Sequence, residues 1–236
     1  MHDATRLIHE QLKESVWHLW APNVVFGHGF DHAERVYEQV INMATDEDIE
    51  PLVVGAAAFL MDVGLNTVSG RSGHVKRSIE IASNLINLIP ELSTNRNLVI
   101  ECIRYHEAES DVPDTVSKET MILHDSDTLD RMGFTGIGMT IEYGIWIERR
   151  FNSMTDPFCQ KRKPDLNNYT LDYIVYTNSL STMLLLMSSQ MKAQNKMNET
   201  KAYLHEIQKK IRHGIEIEHS QARAILSQLQ EEPYNE

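Results

Sequence analysis

Residues 55–64 read Gly-Ala-Ala-Ala-Phe-Leu-Met-Asp-Val-Gly, and the rest of the chain is organised around this stretch. The run is apolar on every side, which predicts a buried helix, yet it contains the carboxylate of Asp62. A buried carboxylate needs a cation or several hydrogen-bond donors, because an unpaired charge in a protein interior is strongly destabilising. We therefore expect partners for Asp62 from elsewhere in the chain.

Further polar residues occupy positions where the helical periodicity of other segments calls for apolar ones: His32, His74, His106 and Asp127. His32 and His74 fall in the first turns of predicted helices, and His106 falls at the end of another. A single histidine on an apolar face is usually a hydrogen-bonded core residue. Together with Asp62, however, the set predicts a metal site. Imidazole and carboxylate ligands suit Mn, Fe, Co, Ni or Zn better than Ca.

Composition limits the classes of protein that the chain represents. Its 236 residues, 42% of them hydrophobic, predict one helical domain over residues 1–236. Two cysteines without CxxC spacing and a first segment unlike a signal peptide predict a cytoplasmic protein. The longest apolar run, residues 52–61, is too short to span a membrane. A net charge of −12 argues against nucleic-acid polymers as partners, and a homo-oligomer stays open.

Apolar periodicity predicts helices throughout and no strands, which indicates an all-α bundle. The first helix covers residues 3–20 and the central one runs from Pro51 to Gly64. Two helices are expected between about residues 169 and 230, the first of them including residues 180–187, and residues 152–168 are expected to be flexible. The predicted packing positions of the first helix are Leu7, Ile8, Leu12, Val16, Trp17 and Trp20. Predicted helix caps are Asp31, Ser72, Ser93 or Thr94, and Ser117.

The order of the polar residues is also informative. Residues 27–36 read Gly-His-Gly-Phe-Asp-His-Ala-Glu-Arg-Val, residues 57–64 Ala-Ala-Phe-Leu-Met-Asp-Val-Gly, and residues 125–130 Asp-Ser-Asp-Thr-Leu-Asp, with His74 and His106 between the last two. This series resembles the HD-domain superfamily of metal-dependent phosphohydrolases, and above all its small stand-alone bacterial members that hydrolyse nucleotides. The resemblance implies an HD-like core over about residues 25–150 and a helical C-terminal extension over about residues 151–230.

The resemblance assigns a role to each proposed ligand. His32 matches the family's first histidine, Asp62 the aspartate of the His-Asp pair, and Asp127 the final aspartate ligand. His74 and His106 fall where members with a second metal place its histidines. One or two divalent ions per chain are therefore expected, with Mg added to the ions named above.

Met61 departs from the family pattern, because it stands where the family has the histidine of the pair. A thioether is a soft, neutral and poor ligand for Mg or Mn. The first metal would then keep His32, Asp62 and Asp127. A second metal would still have all of its ligands, so occupancy would shift towards that site.

Basic residues near the proposed ligands are candidates for phosphate contacts: Arg35, Arg71, Lys76, Arg77 and Arg104. Lys76, two residues after His74, is the preferred one. His28 and Asp31 lie beside His32 and are predicted to orient it or to relay protons. Similar supporting roles are open to His124, Asp125 and Asp130, and Asp125 competes with Asp127 as the ligand. For each basic residue, a solvated surface charge is an equally good interpretation.

The predicted reaction follows from the metal. A divalent ion lowers the pKa of a coordinated water, so no protein nucleophile is needed. The sequence has no Gly-x-Ser-x-Gly elbow and no phosphate-binding glycine loop. We predict metal-dependent hydrolysis of a nucleotide or another small phosphorylated metabolite. Two alternatives stay open: another HD-type reaction, either hydration of a small nitrogen compound or oxygenation at two irons, and, because of Met61, a non-catalytic binding protein.

Overall fold

The chain folds into α-helices, as a computed structural model of residues 3–20, 25–65 and 72–231 shows. Within these ranges no sheet is formed, and the only bridge joins Arg150 to Tyr169, so the all-α prediction is confirmed. The α-helices are α1 Asp3–Trp20, α2 Phe30–Asp46, α3 Leu52–Leu60, α4 His74–Ile86, α5 Pro90–Ser93, α6 Arg96–Arg104, α7 Lys118–Asp130, α8 Gly133–Trp146, α9 Thr170–Thr177 and α10 Met187–Glu231. No helix among them combines the length and the apolar character needed to cross a membrane.

Helix α3 lies at the centre of the bundle and contacts α1, α2, α4, α6 and α7. Residues 53–60 are all buried, as their composition predicts. Small side chains let the neighbouring helices approach closely. At Gly55, for example, the ring of His9 from α1 lies where a Cβ atom would otherwise be.

Helix α3 is shorter than the sequence predicted. Its last regular hydrogen bond is donated by the backbone N–H of Met61 to the carbonyl of Ala57. Beyond it, Val63 and Leu65 donate to the carbonyls three residues before them, at Leu60 and Asp62. This tighter turn replaces the predicted helical end at Gly64 and carries Asp62 just outside the helix.

Most of the predicted helix caps are wrong. Ser117 does cap α7, because its hydroxyl accepts a hydrogen bond from the backbone N–H of Thr120. In contrast, α2, α4 and α6 begin after Gly29, Gly73 and Asn95 without a side-chain cap. Gly73 has φ = 66°, so a left-handed turn sets the start of α4 in place of a cap by Ser72.

Two predicted apolar faces also differ from the structure. In α1 the buried positions are Thr5, His9, Leu12 and Val16, whereas Leu7 and Trp17 are 54% and 49% exposed. Residues 180–187 were expected in an α-helix. The structure instead has a 3-10 helix, Asn178–Met183, followed by a turn into α10.

The C-terminal elements are attached to the bundle by buried carboxylates. Asp125 on α7 accepts hydrogen bonds from the backbone N–H groups of Leu185 and Leu186, both at 2.8 Å. Asp172 on α9 is fully buried and pairs with Arg162, which fixes the irregular segment before α9. Helix α8 contacts α7, and α9 packs against α8.

Candidate metal centre

Asp62 lies at the meeting point of three histidines. Its Oδ1 is 3.1 Å from Nε2 of His74 and 3.4 Å from Nε2 of His106, and its Oδ2 is 3.7 Å from Nε2 of His32. Asp127 joins the group with its Oδ1 3.1 Å from Nε2 of His32. All five side chains are at most 6% exposed. The structure thus brings together all five residues that the sequence singled out.

Each member comes from a helix end facing the same point. His32 is in the first turn of α2, His74 begins α4, and His106 follows the end of α6. Asp127 is in the last turn of α7. The turn that holds Asp62 is tied to α4, because Ser78 Oγ accepts from the Gly64 N–H at 2.9 Å. Helix ends can converge more closely than helix sides, which is why these polar groups meet in an apolar bundle.

The hydrogen bonds of the imidazoles fix which nitrogen faces the centre. Nδ1 of His32 is 2.8 Å from Oδ2 of Asp130, so this nitrogen is the donor. Nδ1 of His106 likewise lies 2.7 Å from the Ile103 carbonyl. The Nε2 atoms of both rings are then left to offer lone pairs towards carboxylate oxygens. Two acceptors facing each other require a proton or a cation between them.

The geometry at His32 fits a metal ion. Its buried Nε2 has no hydrogen-bond partner within the described part of the chain, although Asp127 is near. The ligand atoms of Asp62, His74 and His106 all lie within 4.8 Å of one another. This spacing suits one ion with ligand bonds of about 2.0–2.2 Å. The buried Asp/His/His cluster is therefore able to hold a metal.

Electrostatics within the cluster are strongly coupled. Burial lowers the pKa of His32, but Asp127 and Asp130 outweigh burial and raise it to about 10. Burial likewise lowers the pKa of His106, and Asp62 raises it to about 9. Burial raises the pKa of Asp62, yet His106 and His74 hold it well below its usual range. Positive charge is thus strongly favoured at this point, whether as protons or as a metal ion.

The residues that lie around His32 in the structure are only partly those predicted to orient it. Asp130, one of the residues given a supporting role, makes the orienting contact. Asp31 does not make this contact: its side chain is 73% exposed and pairs with Arg35, which also donates to Asp130. His28 does lie beside His32, with ring centroids 5.7 Å apart. Asp125 is occupied by the backbone of residues 185 and 186, whereas Asp127 faces the cluster.

The basic side chains predicted to contact phosphate are exposed or are engaged in other contacts, where the structure describes them. Lys76 and Arg104 are exposed, and Arg71 is outside the described residues. Arg77 donates to the carbonyls of Gly64 and Ser72, so it holds the turn after Asp62 in place. Arg35 pairs with Asp31 and Asp130. None of the four described candidates lines the cavity that lies beside the cluster: Arg35, Lys76, Arg77 and Arg104.

A cavity of about 370 Å³ lies beside the cluster. Two contacts join them: His28 lines the cavity and packs against His32, and Oε1 of Glu107 is 3.9 Å from Nε2 of His74. The polar lining away from the cluster consists of Glu109, Arg131, Thr140, Tyr143, Arg149, Asn167 and Tyr173. Sequence reasoning missed Glu107, Glu109, Arg131 and Arg149. The available signals were adjacency of Glu107 to His106 and the four-residue spacing from Asp127 to Arg131.

Comparison with known proteins agrees with the motif order. No family model matches the sequence, and no curated protein matches it. Among solved structures, Bacillus subtilis YpgQ in complex with ADP has a TM-score of 0.67 at 17% identity, covering 86% of this chain and 97% of YpgQ. An HD-superfamily hydrolase from Bacillus thuringiensis has a TM-score of 0.64 at 18% identity, covering 88% and 98%. A Lactobacillus plantarum protein has a TM-score of 0.63 at 15% identity, covering 90% and 99%. The chain therefore has the HD-domain fold.

Proposed function

We propose that the protein is a metal-dependent hydrolase that releases phosphate from a nucleotide or another small phosphorylated metabolite. The observation that carries the proposal is the convergence of His32, His74 and His106 on Asp62, directly beside a cavity that contains two arginines. His32, Asp62, His74, His106 and Asp127 would hold one or two divalent ions. When bound, such an ion supplies positive charge to the phosphate and lowers the pKa of an attacking water.

The surrounding residues have distinct parts in this proposal. Asp130 and the Ile103 carbonyl keep Nε2 of His32 and His106 directed at the ion. Glu107, with its carboxylate between His74 and the cavity, would accept a proton from the attacking water. Arg131 is held rigidly by two hydrogen bonds to Glu109, at 2.8 and 2.7 Å, and faces the cavity near Asp127. A nucleotide is favoured because YpgQ, which shares the fold, was solved with ADP.

Elemental analysis of protein purified without chelator, followed by a phosphate-release screen over nucleotides and sugar phosphates, tests the proposal. We expect a stoichiometric divalent ion and release from at least one substrate. Glu107→Gln should keep the metal but lower kcat by about 10²-fold or more, as loss of a general base does. A matched control is Glu119→Gln, a half-buried glutamate in the first turn of α7. Metal-free protein, or release without metal, would contradict the proposal, and two irons per chain would favour oxygenation instead.

A further inference from the structure

Of the two arginines of the cavity, Arg149 is the one without an ion pair in the described ranges, and Asp165 acts on its pKa only from a distance. Arg131 has a bidentate partner in Glu109, whereas the Arg149 guanidinium makes neither a hydrogen bond nor an ion pair with any residue in the described ranges. Its Nε is buried and has no hydrogen-bond partner there. A half-buried guanidinium without an ion pair or a hydrogen bond is costly, which points to a ligand as its partner.

Two tyrosines hold this guanidinium in place. Its Cζ lies 5.3 Å from the ring centroid of Tyr173 and 5.7 Å from that of Tyr143. Cation–π contacts of this kind orient a guanidinium without neutralising its charge. The planar group is thus preorganised at the wall of the cavity, with its hydrogen-bond donors available for an anion.

Other side chains of the cavity lie between Arg149 and the metal centre. On one side, the rings follow each other from His32 to His28 to Tyr143, each pair 5.7 Å apart, before Arg149 is reached. On the other side, Arg131 donates to the Tyr173 hydroxyl at 2.9 Å, and Tyr173 lies under Arg149. Two side chains therefore separate Arg149 from the cluster by either route, and one phosphate group is too small to contact both.

The net charge of the cavity lining depends on Arg149. Glu107 and Glu109 contribute two negative charges, and Arg131 and Arg149 two positive ones. Without Arg149 the lining would be net negative and would repel a phosphorylated molecule. Attraction of an anion away from the metal centre thus depends on this residue.

We infer that Arg149 binds a second anionic group of the substrate, so that the substrate class is a small molecule with two separated anionic groups, one at the metal centre and one at Arg149. The inference rests on the proposed function, because it assigns the reacting phosphate to the metal centre. Arg149 acts in binding and specificity, and Tyr143 and Tyr173 position it.

Equilibrium dialysis with two probes tests the inference: adenosine 5′-monophosphate, and adenosine 3′,5′-bisphosphate, which adds a second, separated phosphate. Wild-type protein should bind the bisphosphate about tenfold more tightly, the effect expected for a charged hydrogen bond. Arg149→Gln should remove this preference and leave monophosphate binding unchanged. Arg150→Gln, which changes the exposed neighbouring arginine, should behave like the wild type.

Arg149→Lys guards against a folding effect, since it keeps the charge. In a lysine variant that melts like the wild type, part of the preference should remain, and its complete loss would overturn the inference. Equal binding of the two probes by wild type, or an unchanged preference in Arg149→Gln, would also overturn it. Dialysis requires no turnover. An Arg149-dependent preference without phosphate release would therefore refute the hydrolase proposal alone.

Discussion

At the start of α3 the ring of His9 packs against Gly55, whereas just beyond the end of the same helix His32, His74 and His106 surround Asp62. Both regions bury imidazoles almost completely. The nitrogens of His9, however, lie 3.1 Å from the Tyr37 hydroxyl and 3.0 Å from the Leu52 carbonyl, which are neutral partners.

The difference shows how a structural histidine can be distinguished from a candidate metal ligand. Burial lowers the pKa of His9, so this ring stays neutral and both of its nitrogens are satisfied. At the other end, carboxylates raise the pKa of His32 and His106, and Nε2 of His32 has no hydrogen-bond partner in the described part of the chain. Imidazole nitrogens that face carboxylates instead of neutral partners, more than burial itself, indicate a metal site.

Removal of Asp62 should have the largest effect. Asp62→Ala should abolish metal binding, because its two carboxylate oxygens face all three histidines. Elemental analysis should find no stoichiometric metal in this variant, whereas the His9→Gln variant should keep its full metal content. Retained metal in Asp62→Ala would mean that the site lies elsewhere.

Stripping the metal should also lower Tm. A ligand present at a thousandfold excess over its Kd stabilises a fold by about 4 kcal/mol, and this contribution is lost on chelation. The check is a thermal melt before and after chelator, with metal loss verified by elemental analysis. An unmoved transition would show that the ion does not hold the helix ends together.

Gly64→Ala should have the next largest effect. An added Cβ would lie 2.3 Å from the backbone nitrogen of Ser78 and 2.6 Å from the His74 carbonyl, so α4 must move away from the turn that carries Asp62. We expect a loss of about 1–3 kcal/mol in the free energy of unfolding, together with weaker metal binding. Gly138→Ala is the control, since nothing lies within 4 Å of its added Cβ, and it should gain up to about 1 kcal/mol. Urea unfolding measures the change in the free energy of unfolding of both variants.

Met61→His should have a smaller effect on the metal centre. Met61 is fully buried in the apolar core beside Asp62. An imidazole at this position, if it reaches the ion, adds a nitrogen ligand and should tighten binding of Mn, Co or Zn by about tenfold. Calorimetric titration measures the affinity. Increased phosphate release would indicate a weakened hydrolase, lower release would indicate a site reshaped for another reaction, and an unchanged affinity would mark Met61 as core packing.

The smallest effect is expected at His9, and it depends on pH. Its pKa is lowered in the folded state, so the unfolded chain binds the proton more readily. Stability should therefore be complete above pH 6.5 and decrease as the pH falls below it. His9→Gln should remove this decrease at a cost of about 1 kcal/mol at neutral pH. His18→Gln, on an exposed position of the same helix, should leave it in place. The groups facing His9 are Tyr37 and Glu50, and parallel slopes in the two variants would show that the decrease does not come from His9.

The sequence predicted the helical fold and the meeting of the five polar residues, because both follow from local periodicity. A lone carboxylate in the apolar run around Asp62 had to find partners, and polar residues at helix ends were available. His9 was overlooked because the buried face of α1 mixes polar Thr5 with apolar Leu12 and Val16. Its ring fits there because Gly55 has no side chain, which the sequence of α1 does not reveal.

The cavity could not be predicted in this way. Glu107, Arg149 and Tyr173 belong to different elements, and no periodicity links positions that are tens of residues apart. The choice between Asp31 and Asp130 also depended on tertiary structure, because Asp130 reaches His32 across 98 residues of chain. Side chains whose role depends on a distant neighbour have no local signature.

The carboxylate of Asp125 has a consequence for the order in which the chain is completed during synthesis. Asp125 is fully buried, and two of its hydrogen-bond donors are the backbone N–H groups of residues 185 and 186, which leave the ribosome 60 residues later. Until then the Asp125 side chain of α7, the helix that carries Asp127 and Asp130, lacks those donors. A nascent chain that ends before Leu185 therefore lacks two of the hydrogen bonds that hold this carboxylate in the full chain.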